Sequence, residues 1–379
     1  MPLFQIKRLN LHPLKKMSTP KFHSLKIKDV RRETADCVSV AFEIPADLST
    51  DYSYKQGQSI TLRRLFEGED VRRSYSVCSS PLDGELRVAI KQVENGLFST
   101  YANKHFKAGD MIDVMTPTGH FYTELNPANK KHYVAFAAGS GITPILSIIK
   151  TTLATEPQST FTLVYGNKNT HSIIFLEEIE AIKNRHIGQF QVFHVLSRES
   201  VDVPILNGRI NNEKCVQFLD NKLIETGSID ELFVCGPEDM IMAVKDTAIA
   251  KGIDSKHIHF ELFTSPTQAA VKHENKVVEK TSDGVKKAKV SVKIDGITHN
   301  MELPFGGDTI LDAALKAGAD LPFACKGGVC CTCRAKVTKG TVEMDMNFAL
   351  EEDEVENGYI LTCQSHPTSE EVFVDFDQK

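Results

Sequence analysis

No stretch of the 379-residue chain approaches the roughly 18 consecutive apolar residues that a bilayer span requires, which excludes a transmembrane helix. Nor is there a strong excess of either charge. A formal net charge of -6 is too mild to indicate a nucleic-acid partner. The first 16 residues, MPLFQIKRLNLHPLKK, are basic but lack the apolar centre of a signal peptide. Residues 1–16 read as disordered or as an over-called start, with Met17 a second start before the first strand-like run. Internal repeats are missing too. The chain also lacks a convincing nucleophile triad or carboxylate pair, which fits chemistry needing no general acid, base or nucleophile.

What is present points elsewhere. Hydrophobic residues make up 41% and charged residues 25%, the profile of a soluble globular protein, and the length predicts two to three domains. Nine cysteines, an odd number clustered late in the chain, argue against a disulfide framework. They suit a reducing, cytoplasmic setting, where a tight cluster of thiols more often means metal. The excess acid is also late. From Lys286 onward 10 Lys and Arg face 16 Asp and Glu, whereas the preceding 285 residues balance at 34 of each.

Three rhythms follow one another along the chain. Short alternating runs such as LKIKDV, CVSVAFEIP, GQSITLRRL and ELRVAIKQV predict an antiparallel β-barrel over residues 17–125. Between 126 and 265, apolar runs (HYVAFAAG, FTLVYGN, FQVFHVLS, ELFVCGP) alternate with amphipathic ones (IIFLEEIEAIKN, MIMAVKDTAIAKG). That alternation predicts an α/β domain built on a parallel sheet. The polar stretch 266–285 reads as a linker. Residues 286–379 open with a hairpin turning at Asp295-Gly296, followed by a helix around TILDAALKAGA and a last strand EVFVDFD, a small α+β domain.

That last section contains CKGGVCCTC. Cys325, Cys330 and Cys333 have the spacing C-x4-C-x2-C, and Cys363 follows at a distance, the ligand pattern of a plant-type [2Fe-2S] cluster. Two irons bridged by two sulfides need four thiolates, so one loop supplies three and another segment the fourth. Gly327 and Gly328 let the loop backbone close round the group. Zinc is the competitor, but its C-x2-C knuckles do not occur twice. Cys331 reads as a bystander, because taking it in place of Cys330 gives a spacing that fits no standard loop. Cys37, Cys78 and Cys215 read as small core residues.

A one-electron centre needs a source of electrons. Arg73 to Ser76 read RSYS, in which the arginine suits a phosphate and the tyrosine a flavin ring, although Arg72-Arg73 could equally be a solvated strand end. GLFST, from Gly96, reads as a helix start open to a phosphate. AAGSGITPILS places Gly139-x-Gly141 between a strand and a helix, with Pro144 in the first turn, as a dinucleotide-binding turn does. Tyr165-Gly166-Asn167 and Cys235-Gly236-Pro237 end predicted parallel strands, where such sheets bind ligands.

In this order RSYS, GLFST, AAGSGITP, YGN, CGPEDM and FELF resemble the ferredoxin–NADP reductase superfamily, and the C-terminal cysteine section resembles a fused plant-type ferredoxin of β-grasp type. The combination is that of oxygenase reductases. Within these, FHSLKI, RRSYSVCSSP, HVLSRE, NGR and NFALEEDEVENGYILTCQSHP are similar to the reductase subunits of phenylacetyl-CoA epoxidases.

The resemblance implies an FAD-binding barrel, an NAD(P)-binding domain and a [2Fe-2S] domain, with electrons passing from NADPH through them to a di-iron oxygenase. FMN is the variant in some fused reductases. Arg73, Tyr75 and Ser76 are implied at the flavin, with Gly96 and Ser99 near its phosphates. Gly139, Gly141, Thr143 and Pro144 are implied around the dinucleotide, Cys235, Gly236 and Pro237 beside the nicotinamide, and Phe263 on the flavin or linker side. Ser197-Arg198 resembles a pair that holds the adenosine 2′-phosphate and so favours NADPH over NADH. Cys331 departs from the small residue usual in such loops. The acidic section is expected to dock on a basic partner. Two other readings stay open, a reductase for a Rieske or haem acceptor and a redox sensor without turnover.

Overall fold

The structure is a computed structural model and describes residues 20–220, 223–263 and 286–378. The expectations for residues 1–16 and for the 266–285 linker lie outside the described residues.

The first unit is a six-stranded antiparallel sheet. Its strands are β1 (Phe22–Thr34), β2 (Cys37–Glu43), β3 (Ser59–Phe66), β4 (Glu69–Ser76), β5 (Leu86–Lys91) and β6 (Met111–Met115), in the order β4-β3-β6-β1-β2-β5. The Val77–Val88 bridge joins the two outer strands and closes the barrel. The alternation seen in the sequence is the reason for this form. Leu25 and Ile27 point inward while Ser24, Lys26 and Lys28 point out, and Val40, Ile60, Leu62, Val88 and Val114 fill the same core. Helix α1 (Leu97–His105) plugs it with Phe98.

The second unit is all parallel, with the order β11-β10-β7-β8-β9 for β7 (His132–Ala138), β8 (Thr160–Asn167), β9 (Phe190–Leu196), β10 (Glu231–Gly236) and β11 (Ile258–Leu262). A sheet covered on both faces needs apolar residues at successive positions, and β7 supplies them. Tyr133, Ala135 and Ala137 pack under α2 (Ile142–Thr155) and α3 (Leu176–Arg185). Val134 and Phe136 face the core of α4 (Asn212–Asp220) and α5 (Glu238–Ala250). The expected helix IIFLEEIEAIKN starts later than its periodicity suggests. Phe175 sits at φ 61, a left-handed turn that breaks the first residues off and buries its ring.

The third unit orders β13 (Ile297–Pro304), β12 (Lys287–Ile294), β18 (Glu371–Asp375), β14 (Arg334–Lys339) and β16 (Tyr359–Leu361) in one sheet. A small β15 (Val342–Met344) and β17 (Ser365–Pro367) pair stands beside it. Asp295 and Gly296 turn the first hairpin with φ of 48 and 77, the left-handed pair expected of such a turn. Helix α6 (Ile310–Lys316) is shorter than expected: Thr309 caps its start, and Gly318 at φ 85 ends it. A last short helix, α7, covers Glu352–Glu356.

Candidate redox site

The turn from Gly139 to Gly141 is built by close packing of backbones. A side chain on Gly141 would overlap the carbonyl oxygen of Cys235 and lie 2.5 Å from its carbonyl carbon. A side chain on Gly236 would come 2.6 Å from Met240 and 3.2 Å from Ala138. Gly139 to Gly141 and Cys235-Gly236 are therefore one surface at the C-terminal ends of β7 and β10. Gly139 has φ +53, and the Tyr165 hydroxyl donates to its carbonyl at 2.9 Å. Thr143 lies inside and donates to Ser140 O at 3.0 Å, while Pro144 is buried in the first turn of α2. Pro237 caps α5 and is exposed, whereas burial pushes the Cys235 thiol well up.

Ser197 and Arg198 sit next to the end of β8, their amides donating to Asn167 O at 2.9 Å and Lys168 O at 2.7 Å. The Arg198 side chain is exposed. Phe263 follows β11 and is 40% exposed.

Along the barrel edge, Arg73 and Tyr75 are half-buried and Ser76 is buried. Arg73 Nη1 donates to Arg72 O at 2.7 Å. Arg72 is no solvated strand end, with 6% of its surface exposed. Gly96 caps α1 and has no room for a side chain, which would meet Ser99 Oγ at 2.7 Å. The Ser99 hydroxyl accepts from Val93 N at 3.0 Å and turns its own proton to Gly96 O at 3.5 Å, within the same helix start.

In the cysteine loop, Cys325 and Cys330 hold their sulfurs 3.2 Å apart, and the Gly327 amide donates to Cys325 Sγ at 3.3 Å. Cys333 and Cys363 are buried. The Thr362 amide and hydroxyl both reach Cys333 O, which sets Cys363 beside Cys333. Gln364 Nε2 bridges Lys326 O at 3.0 Å and Cys363 O at 2.9 Å, tying the loop to the fourth cysteine. Gly328, at φ +72, leaves no space for a side chain beside Met346 O. Cys331 points its thiol to Ala349 O at 3.1 Å. The Thr332 hydroxyl is buried beside Cys330, whose sulfur it reaches. Cys363 reaches both Cys325 and Cys333, and Cys330 reaches Cys325, so four converging thiols, a glycine cradle and a neighbouring hydroxyl fit a sulfide-bridged iron pair.

Two residues escaped the sequence reading. Glu261 lies within FELF, and Ser76 Oγ donates to its Oε2 at 3.0 Å across the barrel–sheet junction. Burial pushes this carboxyl up to about 7, with the Ser76 hydrogen bond opposing. Lys91, at the end of β5, holds its Nζ 3.6 Å from where a side chain on Gly139 would begin, placing a cation beside the dinucleotide turn. A charged residue at or next to the end of a strand was the signal available for each, but only the fold supplies the partner.

Three family models match, an oxidoreductase FAD-binding domain over residues 24–122, an oxidoreductase NAD-binding domain over 136–246 and a 2Fe-2S iron-sulfur cluster binding domain over 292–368. With the barrel, the parallel sheet and the four-cysteine loop, they define the class: an FAD- and [2Fe-2S]-containing NAD(P)H oxidoreductase. The chain is 44% identical over 358 residues to one subunit of the 1,2-phenylacetyl-CoA epoxidase of Escherichia coli (strain K12), covering 94% of this chain and 98% of that protein. It is 31% identical to the ferredoxin reductase component of 3-ketosteroid-9-alpha-monooxygenase from Rhodococcus rhodochrous, over 93% of this chain and 96% of that protein. Phthalate dioxygenase reductase shares the fold, with a TM-score of 0.56 at 20% identity over 93% of this chain and 98% of that one. The chain belongs to the ferredoxin–NADP reductase family, in the group with a C-terminal ferredoxin-type [2Fe-2S] domain. No helix among the described residues is long and apolar enough to cross a membrane.

Glu261 gives a pH-dependent prediction. Its folded-state pKa, about 7, lies above its ordinary value of 4.5, so the stability this group contributes is full below 4.5 and is lost as pH rises through 7. Glu261→Gln carries no such dependence. Melting curves of the loaded protein at pH 5.5 and 8.5 should show the variant gaining on wild type by roughly 2–4 °C at the higher pH. A difference that stays constant with pH would show that Glu261 is not held protonated.

Proposed function

We propose that this chain is the reductase component of a di-iron oxygenase that epoxidises the ring of phenylacetyl-CoA, drawing electrons from NADPH in the cytoplasm. The observation that carries this reading is 44% identity to a phenylacetyl-CoA epoxidase component over nearly the full length of both proteins. It divides the chain into a flavin barrel (17–125), a nucleotide domain (126–265), a linker (266–285) and a [2Fe-2S] domain (286–379), as the three sheets and the family matches support.

Each part of the chain then has a task. Arg73, Tyr75 and Ser76 hold the flavin, and Gly96 with the backbone of Ser99 faces its phosphates. Gly139, Gly141, Thr143 and Pro144 shape the turn that takes the dinucleotide, with Lys91 offsetting phosphate charge. Ser197 and Arg198 receive the 2′-phosphate, which gives the preference for NADPH. Gly236 and Pro237 leave the nicotinamide an open approach, Cys235 supports them from below, and Phe263 borders the flavin side. Cys325, Cys330, Cys333 and Cys363 ligate the cluster. When bound, FAD takes two electrons as a hydride and yields them singly, and the [2Fe-2S] centre carries one at a time. Glu261, whose carboxyl burial pushes up to about 7, accepts from Ser76 at the cleft. The acidic face of the last domain, with Glu351, Glu352, Asp353 and Glu356 exposed, suits docking on a basic oxygenase surface.

The test mixes the protein with NADPH, oxygen and phenylacetyl-CoA, with and without the oxygenase subunits. Epoxide should form only in the complete mixture. In a parallel arm, Arg198→Ala should raise KM for NADPH far more than for NADH. Product from this chain alone would refute the reductase role. Failure with these subunits and success with a Rieske oxygenase would reassign the acceptor.

A further inference from the structure

We infer that Arg72 is a positioning residue that seats the cysteine-bearing domain on the flavin barrel and so governs the hand-over of electrons between them. The inference rests on the relay reading above and adds to it the residue that holds the relay's two halves in register.

Arg72 is a charge with almost no access to water, and its surroundings come from two domains. Asp70 on the same strand accepts from Nε at 3.1 Å and from Nη2 at 2.8 Å. The Nη1 side turns to Leu321 O of the cysteine-bearing domain, 3.5 Å away. One aromatic ring, Phe22 of β1, has its centroid 5.1 Å from the guanidinium carbon. Another, Phe323, lies 4.0 Å from it and belongs to the cysteine-bearing domain. The stack continues at both ends. Arg63, paired with Asp113, lies 4.1 Å from the Phe22 ring, and Lys326 Nζ lies 4.9 Å from the Phe323 ring. Cations and rings thus alternate from the barrel into the loop that carries Cys325.

The energetics single out Arg72 within this interface. A guanidinium removed from water is costly unless its donors and faces are occupied, and here a carbonyl and a ring face come from the other domain. Separation of the domains would return Arg72 to solvent and strip both partners. The other contacts are of different kinds. His120 of the barrel section approaches Glu354 at 3.5 Å, but its side chain is 46% exposed, and such rim pairs contribute little. Val329 and Phe348 pack against the apolar cluster of the nucleotide domain, a contact without direction. Arg72 is the buried, directional anchor, of the kind that dominates interfaces. Its place in the chain gives it consequence. Arg73 of the flavin edge follows it directly, and Phe323 precedes Cys325 by two residues. A shift at this contact therefore moves one redox site relative to the other.

The experiment uses full-length protein loaded with FAD and cluster, and compares wild type, Arg72→Ala, Phe323→Ala and the double variant. NADPH-driven ferricyanide reduction reports electron entry, cytochrome c reduction reports passage through the cysteine-bearing domain, and amide exchange reports docking. Arg72→Ala should keep ferricyanide turnover within about twofold and lower cytochrome c reduction roughly tenfold, the scale of one desolvated cation–ring contact. Exchange should rise at residues 319–324. Phe323→Ala should lower cytochrome c reduction in the same direction with its cluster spectrum intact, and the double variant should be no worse than Arg72→Ala, because Arg72→Ala already removes the contact with Phe323. Unchanged cytochrome c reduction in Arg72→Ala, or losses that multiply in the double variant, would overturn the inference. Should Arg72→Ala fail to retain flavin, Phe323→Ala alone decides, since it leaves the barrel intact. Wild-type protein that reduces ferricyanide but not cytochrome c would instead sink the relay reading itself.

Discussion

Cys330→Ser is expected to lose the visible absorption and the reduced-state EPR signal of the [2Fe-2S] cluster, while Cys331→Ser keeps both. The two residues are neighbours, so composition and loop length change equally in the two variants, and only the direction of each side chain differs. Cys330 holds its sulfur 3.2 Å from that of Cys325, whereas Cys331 is turned to the carbonyl of Ala349. An alcohol is a harder and weaker donor than a thiolate toward iron in a sulfide-bridged pair, and it cannot take the place of Cys330 at neutral pH without loss of affinity. In Cys331→Ser the hydroxyl can keep the bond to Ala349, so the loop has no reason to open. Ferricyanide reduction by NADPH should survive in both variants, which separates loss of the cluster from unfolding. Retention of the cluster in Cys330→Ser with loss in Cys331→Ser would reverse the ligand assignment.

The second large effect is expected at the nucleotide turn. Gly141→Ala should lower NADPH-dependent ferricyanide reduction about 100-fold, the penalty of displacing a positioning element by about an ångström. The obstacle is space, because Gly141 has φ -62, which any residue adopts. Its added methyl group would run into the Cys235 carbonyl, with Gly236 N only 3.0 Å away, and these are backbone atoms that no side-chain rotation can clear. Gly139→Ala is the informative contrast. There the nearest atom is Lys91 Nζ at 3.6 Å, the end of a flexible chain, and the cost is the positive φ of 53, about 1 kcal/mol. Its turnover should fall by no more than about tenfold. Steady-state rates with FAD content measured in parallel check both. A Gly141→Ala enzyme close to wild type would show that the two strand ends are not coupled as the packing requires.

The order of barrel, parallel sheet and cysteine-bearing unit could be read from the chain by itself. Alternation in LKIKDV, continuous apolar runs such as HYVAFAAG and the Asp295-Gly296 turn are short-range signals, set by which face of a strand is buried and by which residues tolerate left-handed backbone. The spacing of Cys325, Cys330 and Cys333 is likewise local, since one loop must deliver three thiolates. The bounds of α3 and α6 were harder, because Phe175 and Gly318 override periodicity through backbone conformation. Tertiary structure alone decided the rest. Ser76 meets Glu261 across 185 residues, and Arg72 meets Leu321 across 249. Lys91 reaches Gly139 from a different domain. In the sequence, Arg72 is one of two adjacent arginines and Glu261 one acid among many. What distinguishes them is removal from water by segments far along the chain, and periodicity cannot report a burial that no neighbouring residue creates.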